Sequence, residues 1–198
     1  MGIRSRGRPV IASGGIVNAA SYVQGPIVAG SVATIFGAGL ASSAVPSPGT
    51  PLPTTLNNVS VTMNGTAVPL LSVSPSRINV QVPWSLAGTS QVQVVVTNEN
   101  GSSSPVSANL AGGAPPIFTV DGKQAVAYTA ATRTYTFNPG QTSRIACPGE
   151  YLRLYATGLG ITDGRCSGQR SAPSSDRPHS AESRGFSRGA ILRRRTEC

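Results

Sequence analysis

The chain has 198 residues with 23 glycines, 16 prolines, few aromatics and only 12% charged residues, a composition suited to short strands and tight turns in one large or two small domains. Its net charge of +9 sits at the ends: Arg4, Arg6 and Arg8 open the chain, eight arginines against three acids follow Gly164, and residues 10–163 carry five basic and four acidic groups. So neutral a body argues against a folded nucleic-acid-binding surface, and no apolar run is long enough to span a membrane.

In chain order, the basic start MGIRSRGR leads into PVIASGGIV, which is too short and too interrupted by Gly and Ser for a secretory signal core. Either the chain is cytosolic or its true beginning is missing. Residues 1–13 are expected to be disordered, and a first module is expected over residues 14–112. GSVATIFGAGL (residues 30–40) supplies its opening strand. Gly30, Gly37 and Gly39 fit no phosphate-loop spacing and no helix follows them, so bends at strand ends account for them. The Pro/Ser/Thr-rich stretch 42–55 reads as an extended loop.

From Val59 the pattern is strongly β. In VSVTM-NG-TAVPLL, Asn64-Gly65 between apolar runs predicts a hairpin, with Val59, Val61 and Met63 on a buried face. RINVQVP turns Ile78, Val80 and Val82 inward before Pro83, which has no N–H to donate, ends the ladder. SQVQVVVTN puts Val92, Val94 and Val96 on one face, NENGSSSP turns the chain, and VSANL closes the sheet. Six or seven short strands over this length predict an immunoglobulin-like β-sandwich. No helical period of useful length is present.

AGGAPP (residues 111–116) marks a boundary, followed by a β connector over residues 113–147. IFTVDGKQAVAY predicts a hairpin around Asp121-Gly122, and TRTYTFN a further strand. GEYLRLYATGL (residues 149–159) then repeats GSVATIFGAGL: the two glycines and the leucine are identical, three of eleven positions, and both copies run through an alternating stretch to an aromatic residue. Residues 148–163 thus read as the first strand of an incomplete second module, with no evident sheet to join. The remainder, 164–198, is rich in Arg and Ser and poor in apolar residues, and is expected to be disordered. An alternative origin for it is a reading-frame change near Gly164.

Little in the body suggests chemistry. Cys147, Cys166 and Cys198 are odd in number, widely spaced and without a CxxC pair, so neither zinc nor a disulfide framework is indicated. The one histidine, His179, lies in the tail, and no GxSxG elbow is present. Glu99 and Asp121 sit in turns, Glu150 opens a strand and Asp163 ends the ordered part, so turn and surface roles explain the acids without catalysis or calcium binding. The sequons at Asn58, Asn64 and Asn100 are better explained by turns. Arg193–Arg195 reads as a solvated charge run. The expectation is a protein that is not an enzyme, with no cofactor and no metal. Trp84, following Pro83 at a strand end, is the single candidate ligand contact. It could stack on a sugar ring, with loop packing as the alternative, while Tyr22, Tyr128, Tyr135, Tyr151 and Tyr155 form no platform in the sequence.

GGIVNAASY, GSVATIFGAGL, PLPTTLNNVSVTMNGTAVPLLSVSPSRINVQVPW and PGEYLRLYATGLG together resemble the Solibacter-type uncharacterised C-terminal domain of secreted acidobacterial proteins. More distantly, residues 30–110 resemble an IPT/TIG domain, which is immunoglobulin-like. The resemblance implies two consecutive IPT-like modules joined by a PxIFT connector (residues 116–119), and an extracellular or cell-surface location. The chain departs from that pattern after Ile161, where a second hairpin and a VNVQVP-like strand are missing. The expected role is a structural or interaction module whose partners are neighbouring domains of a parent protein or other surface proteins. A carbohydrate-binding module using Trp84 and nearby tyrosines is the alternative. Nucleic acid bound by the basic tail is a third reading, which salt-sensitive retention lost on removal of residues 165–198 would identify.

Overall fold

Alternation of apolar and polar residues, broken at Gly, Pro and Asn, gives the described residues strands and a single 3-10 turn. The computed structural model describes residues 7–119, 125–129, 149–160 and 190–192. In chain order the strands are β1 (Val10–Asn18), β2 (Ile27–Val28), β3 (Val32–Ala38), β4 (Val45–Pro46), β5 (Thr55–Leu56), β6 (Val59–Met63), β7 (Thr66–Ala67) and β8 (Leu70–Val73). They continue with β9 (Arg77–Gln81), β10 (Gln91–Asn98), β11 (Gly101–Ser102), β12 (Val106–Ala111), β13 (Ala127–Thr129), β14 (Leu152–Leu154) and β15 (Ala190–Leu192). One 3-10 turn, Trp84–Leu86, precedes β10.

Two sheets face each other. The first runs β1-β3-β9-β8-β4; the second runs β2-β12-β10-β6-β5, with β7 on β6 and β11 on β10. Val59, Val61, Met63, Ile78, Val80, Val82, Val94 and Val96 are fully buried between them, the inward positions their alternation predicts. They form one cluster with Ile35, Leu40 and Leu70, an immunoglobulin-like sandwich closed by interdigitating side chains. Strand β3, flanked by β1 and β9, is buried on both faces. Ala33 and Ile35 face the core, while Thr34, also fully buried, donates from Oγ1 to Asn79 Oδ1 at 2.9 Å. Asn79 Nδ2 in turn donates to Ser72 Oγ at 3.2 Å.

The turns follow their residues. Asn64 and Gly65 both have positive φ (48° and 78°), the type I′ geometry that matches the twist of a two-residue hairpin. Asn64 Oδ1 also accepts from the Gln93 N–H at 2.8 Å, fixing the hairpin against β10. Its second arm differs from the expected single strand. After β7 the chain leaves the second sheet at Pro69 and joins the first as β8, because proline offers no donor to continue the ladder beside β6.

Two further boundaries differ from expectation. Strand β1 starts at Val10, ahead of the module start expected at Gly14, since Ile11 is buried against the core and pairs opposite Gly37. A register shift between Ile11 and Ile16 passes through Gly14 (φ 65°) and Gly15, the two residues that let the strand bulge. The stretch 42–55, expected as a loop, carries the two-residue strand β4 and the first residue of β5. Strand β4 lies along β8, and Pro46 leaves that sheet edge without a regular donor row. Residues 1–6 of the expected disordered start lie outside the described residues.

Beyond residue 112 the repeat seen in the sequence recurs in the backbone. Gly149 and Gly158 have φ of 85° and 74°, matching 77° and 63° at Gly30 and Gly39. Strand β14 has a neighbour on each side, β13 and β15, although the sequence left it without an evident sheet. Its register copies that of β3. Ala33 sits between Asn18 and Val80, and its counterpart Leu152 between Thr129 and Leu192. Of the tail expected to be disordered (164–198), the described residues are Ala190–Leu192, which form β15. The hairpin turn at Asp121-Gly122 and the TRTYTFN strand lie outside the described residues, while Thr119 and Ala125 on either side of that turn pair antiparallel.

Candidate functional site

Trp84 enters its position through the turn that ends β9. Pro83 cannot extend the ladder, and the Leu86 N–H donates back to the Pro83 carbonyl at 3.2 Å, so the chain curls into a single 3-10 turn with Leu86 buried. The indole lies across the backbone of Gly30, where a Cβ would overlap the ring. Half of Trp84 remains exposed (50%). Gly30 is therefore required twice, for its positive φ and for the space the ring occupies. Replacing it by Ala should cost about 1–2 kcal/mol through the left-handed backbone alone, and should displace the indole. Because Trp84 is the only tryptophan, its emission reports the change directly; unchanged emission and an unchanged melting temperature would contradict this packing.

The tyrosines do not gather around Trp84. Tyr22 packs on Phe36 with ring centroids 6.0 Å apart, Tyr128 meets Tyr155 edge-on at 5.5 Å, and no described ring contact involves Trp84. Tyr135 lies outside the described residues. The expected acids do not converge either. Glu99 is in the β10–β11 turn and Glu150 lies two residues before β14, while Asp121 and Asp163 lie outside the described residues. So do Cys147, Cys166, Cys198, His179 and Arg193–Arg195. Among the described residues no group of His, Cys, Asp or Glu side chains could hold a metal ion, and no helix is long and apolar enough to cross a membrane.

Two features that the sequence reading missed become visible once strands are paired. The first is the outer face of the second sheet. With Val92, Val94 and Val96 inward, Gln91, Gln93, Val95 and Thr97 point outward. Register places Thr55, Ser60, Thr97 and Ser102 in one row across β5, β6, β10 and β11. Further along, Gln93 Nε2 donates to Ser107 Oγ at 2.8 Å and Gln91 Nε2 to Asn109 Oδ1 at 3.3 Å. The strands of this face contribute no charged side chain, since Arg77 and Glu99 are the only charged residues in 10–113 and Arg77 belongs to the first sheet and Glu99 to the β10–β11 turn. The polar partners of the buried valines were the available signal, but their alignment into rows depends on register.

The second is a seam joining the sandwich to the segment after it. Ile117 and Ala156 pair antiparallel; the Phe118 N–H donates to the Tyr155 carbonyl at 2.8 Å and the Ala114 N–H to the Gly158 carbonyl at 2.9 Å. The buried Val32 N–H donates to Thr157 Oγ1 at 2.9 Å, across 125 residues of sequence. Asn18 Nδ2, buried beside Gly158, has no hydrogen-bond partner among the described residues.

Residues 16–109 match the IPT/TIG domain family. This segment is similar to IPT/TIG domains. The match runs from Ile16 in β1 to Asn109 in β12 and leaves out the segment after residue 112. IPT/TIG domains are structural, non-catalytic modules, which accords with a core filled by aliphatic side chains. No curated protein matches the chain.

Proposed function

We propose that this chain is a non-catalytic interaction and spacer module of a larger secreted or cell-surface bacterial protein, of the Solibacter-type C-terminal-domain kind, with one IPT/TIG-like module running from β1 to β12. The observation carrying this reading is the IPT/TIG match over 16–109 on a closed, aliphatic sandwich. A rigid body of this type acts by presenting surface. Three of the four sheet margins, β2, β4 and β5, are each two residues long, and the fourth is the nine-residue β1, bulged at Gly14 and Gly15. This leaves loops, sheet faces and the β1 margin as surfaces for contact. The test is fractionation of the source cells with an antibody to the domain, followed by photo-cross-linking from Val23, which is 66% exposed. Signal in culture fluid or at the cell surface, with cross-links to neighbouring domains or surface proteins, is the expected result. A free 20.2 kDa species confined to cytosol would overturn the reading.

Half-exposure of Trp84 keeps a second reading alive, a carbohydrate-binding module with the sugar stacked on the indole. Pull-down on polysaccharide lost in Trp84→Ala would support it. Unaltered retention would exclude it.

A further inference from the structure

Strand β14 lies between two neighbours as β3 does, and one of those neighbours, β15, comes from the far end of the chain. We propose that the edge of β14 opposite β13 is a strand-docking site, and that the chain's own segment Ala190–Leu192 is its occupant. That segment is a donor strand standing where β9 stands in the first module. The inference concerns the second module alone and is independent of where the parent protein resides.

Register carries the assignment. Aligning Gly30–Leu40 with Gly149–Leu159 sets Ala33, Thr34 and Ile35 against Leu152, Arg153 and Leu154. Val80, Asn79 and Ile78 of β9 pair antiparallel with the first three. Leu192, Ile191 and Ala190 pair antiparallel with the second three, position for position. The other side agrees, since Asn18, Val17 and Ile16 of β1 correspond to Thr129, Tyr128 and Ala127 of β13. So does the far end of the strand, where Ile11 opposite Gly37 corresponds to Ile117 opposite Ala156. Ile117 and Ala127–Thr129, assigned to the connector from the sequence, thus hold β1 positions of the second module, and Ala190–Leu192 hold its β9 positions.

The sequence supports the same occupant. No RINVQVP-like stretch follows Ile161, and within 164–198 Ala190–Leu192 is the one run of consecutive apolar residues. It contains no proline, so each of its residues keeps the N–H that a ladder needs. Arg193–Arg195 follow it directly, and charge beside a short edge strand discourages the addition of another strand. The acceptor edge also has a reason to be covered. Unpaired, β14 would present a row of open N–H and C=O groups beside the half-buried Leu152 and Leu154. A strand on the same chain meets that edge at a high effective concentration, which favours it over a strand from solution.

Disulfide trapping in the full chain tests this. In a background of Cys147→Ser, Cys166→Ser and Cys198→Ser, the pair Arg153→Cys/Ile191→Cys places thiols at opposed positions. Directly opposed residues of an antiparallel pair lie about 4.5–5.5 Å apart between Cα atoms, within disulfide reach. Oxidised glutathione should close an intramolecular bond in this variant, and should do so far more slowly in Arg153→Cys/Ser187→Cys, whose second thiol is four residues out of register. Equal closure of the two pairs, or closure of neither in a chain with native Trp84 emission, overturns the proposal. Covalent dimers in place of the internal bond would make a second copy the occupant and likewise overturn it. Tryptic cleavage after Arg153 gives an independent readout in the chain with its native cysteines. Ile191→Pro withdraws a ladder N–H and should speed that cut about tenfold, the equivalent of two neutral hydrogen bonds lost from the protected state. Trp84 emission and the melting temperature of the sandwich should stay unchanged. A cut no faster than in the parent chain overturns the proposal.

Discussion

Ile35→Ala is expected to destabilise the sandwich by about 2–5 kcal/mol. Ile35 is fully buried on β3, the strand between β1 and β9, and belongs to the continuous cluster joining both sheets. Truncation removes three carbons from a site whose neighbours are held by ladders on both sides. Little collapse can fill the cavity, so the cost should fall in the upper part of that range. A domain of this size is stable by only about 5–15 kcal/mol, and each kcal/mol lowers the melting temperature by roughly 4–8 °C. Urea unfolding of the full chain, followed by Trp84 emission, would measure the loss. A midpoint close to that of the parent chain would mean that the two sheets do not share this core.

Gly158→Ala is expected to open the seam while sparing the sandwich. Gly158 has φ 74°, and a Cβ there would drive into the Ala114 carbonyl, a backbone atom that cannot swing aside. The left-handed conformation adds about 1–2 kcal/mol against any L side chain. Thr157→Val is the gentler companion. It keeps the shape but withdraws the acceptor from the buried Val32 N–H, at a cost of about 1–3 kcal/mol for the donor left unpaired. Both variants should speed proteolysis within residues 113–160 and leave a resistant fragment that ends near the end of β12. If cleavage there is no faster than in the parent chain, residues 155–158 do not hold the two parts together.

The fold class was legible in the sequence because its signals are local. Val59–Val61–Met63 and Val92–Val94–Val96 alternate with period two, Asn64-Gly65 supplies two positive φ values, and Pro83 ends a ladder. Each statement needs only a few neighbouring residues. The repeat of Gly-to-Gly-Leu was legible for the same reason, and its glycines adopt matching backbone angles in both copies.

What the sequence could not show was which strand lies beside which. Pro69 reads as an interruption, yet only the tertiary structure shows the chain crossing there from one sheet to the other. The hydroxyl row on the outer face draws its members from four strands, and a shift of one residue in any of them would turn its side chain into the core. Trp84 reads as a candidate ligand contact; that its ring rests on Gly30 follows from the meeting of two turns more than fifty positions apart. Thr157 carries no local mark at all, and its bond to Val32 exists because the second Gly-Leu segment docks against the first module. Hydrophobic period and turn chemistry thus determined that this chain makes a β-sandwich. Long-range register, fixed by burial of one face of every strand, decided which polar groups meet on its surface and where its two parts are joined.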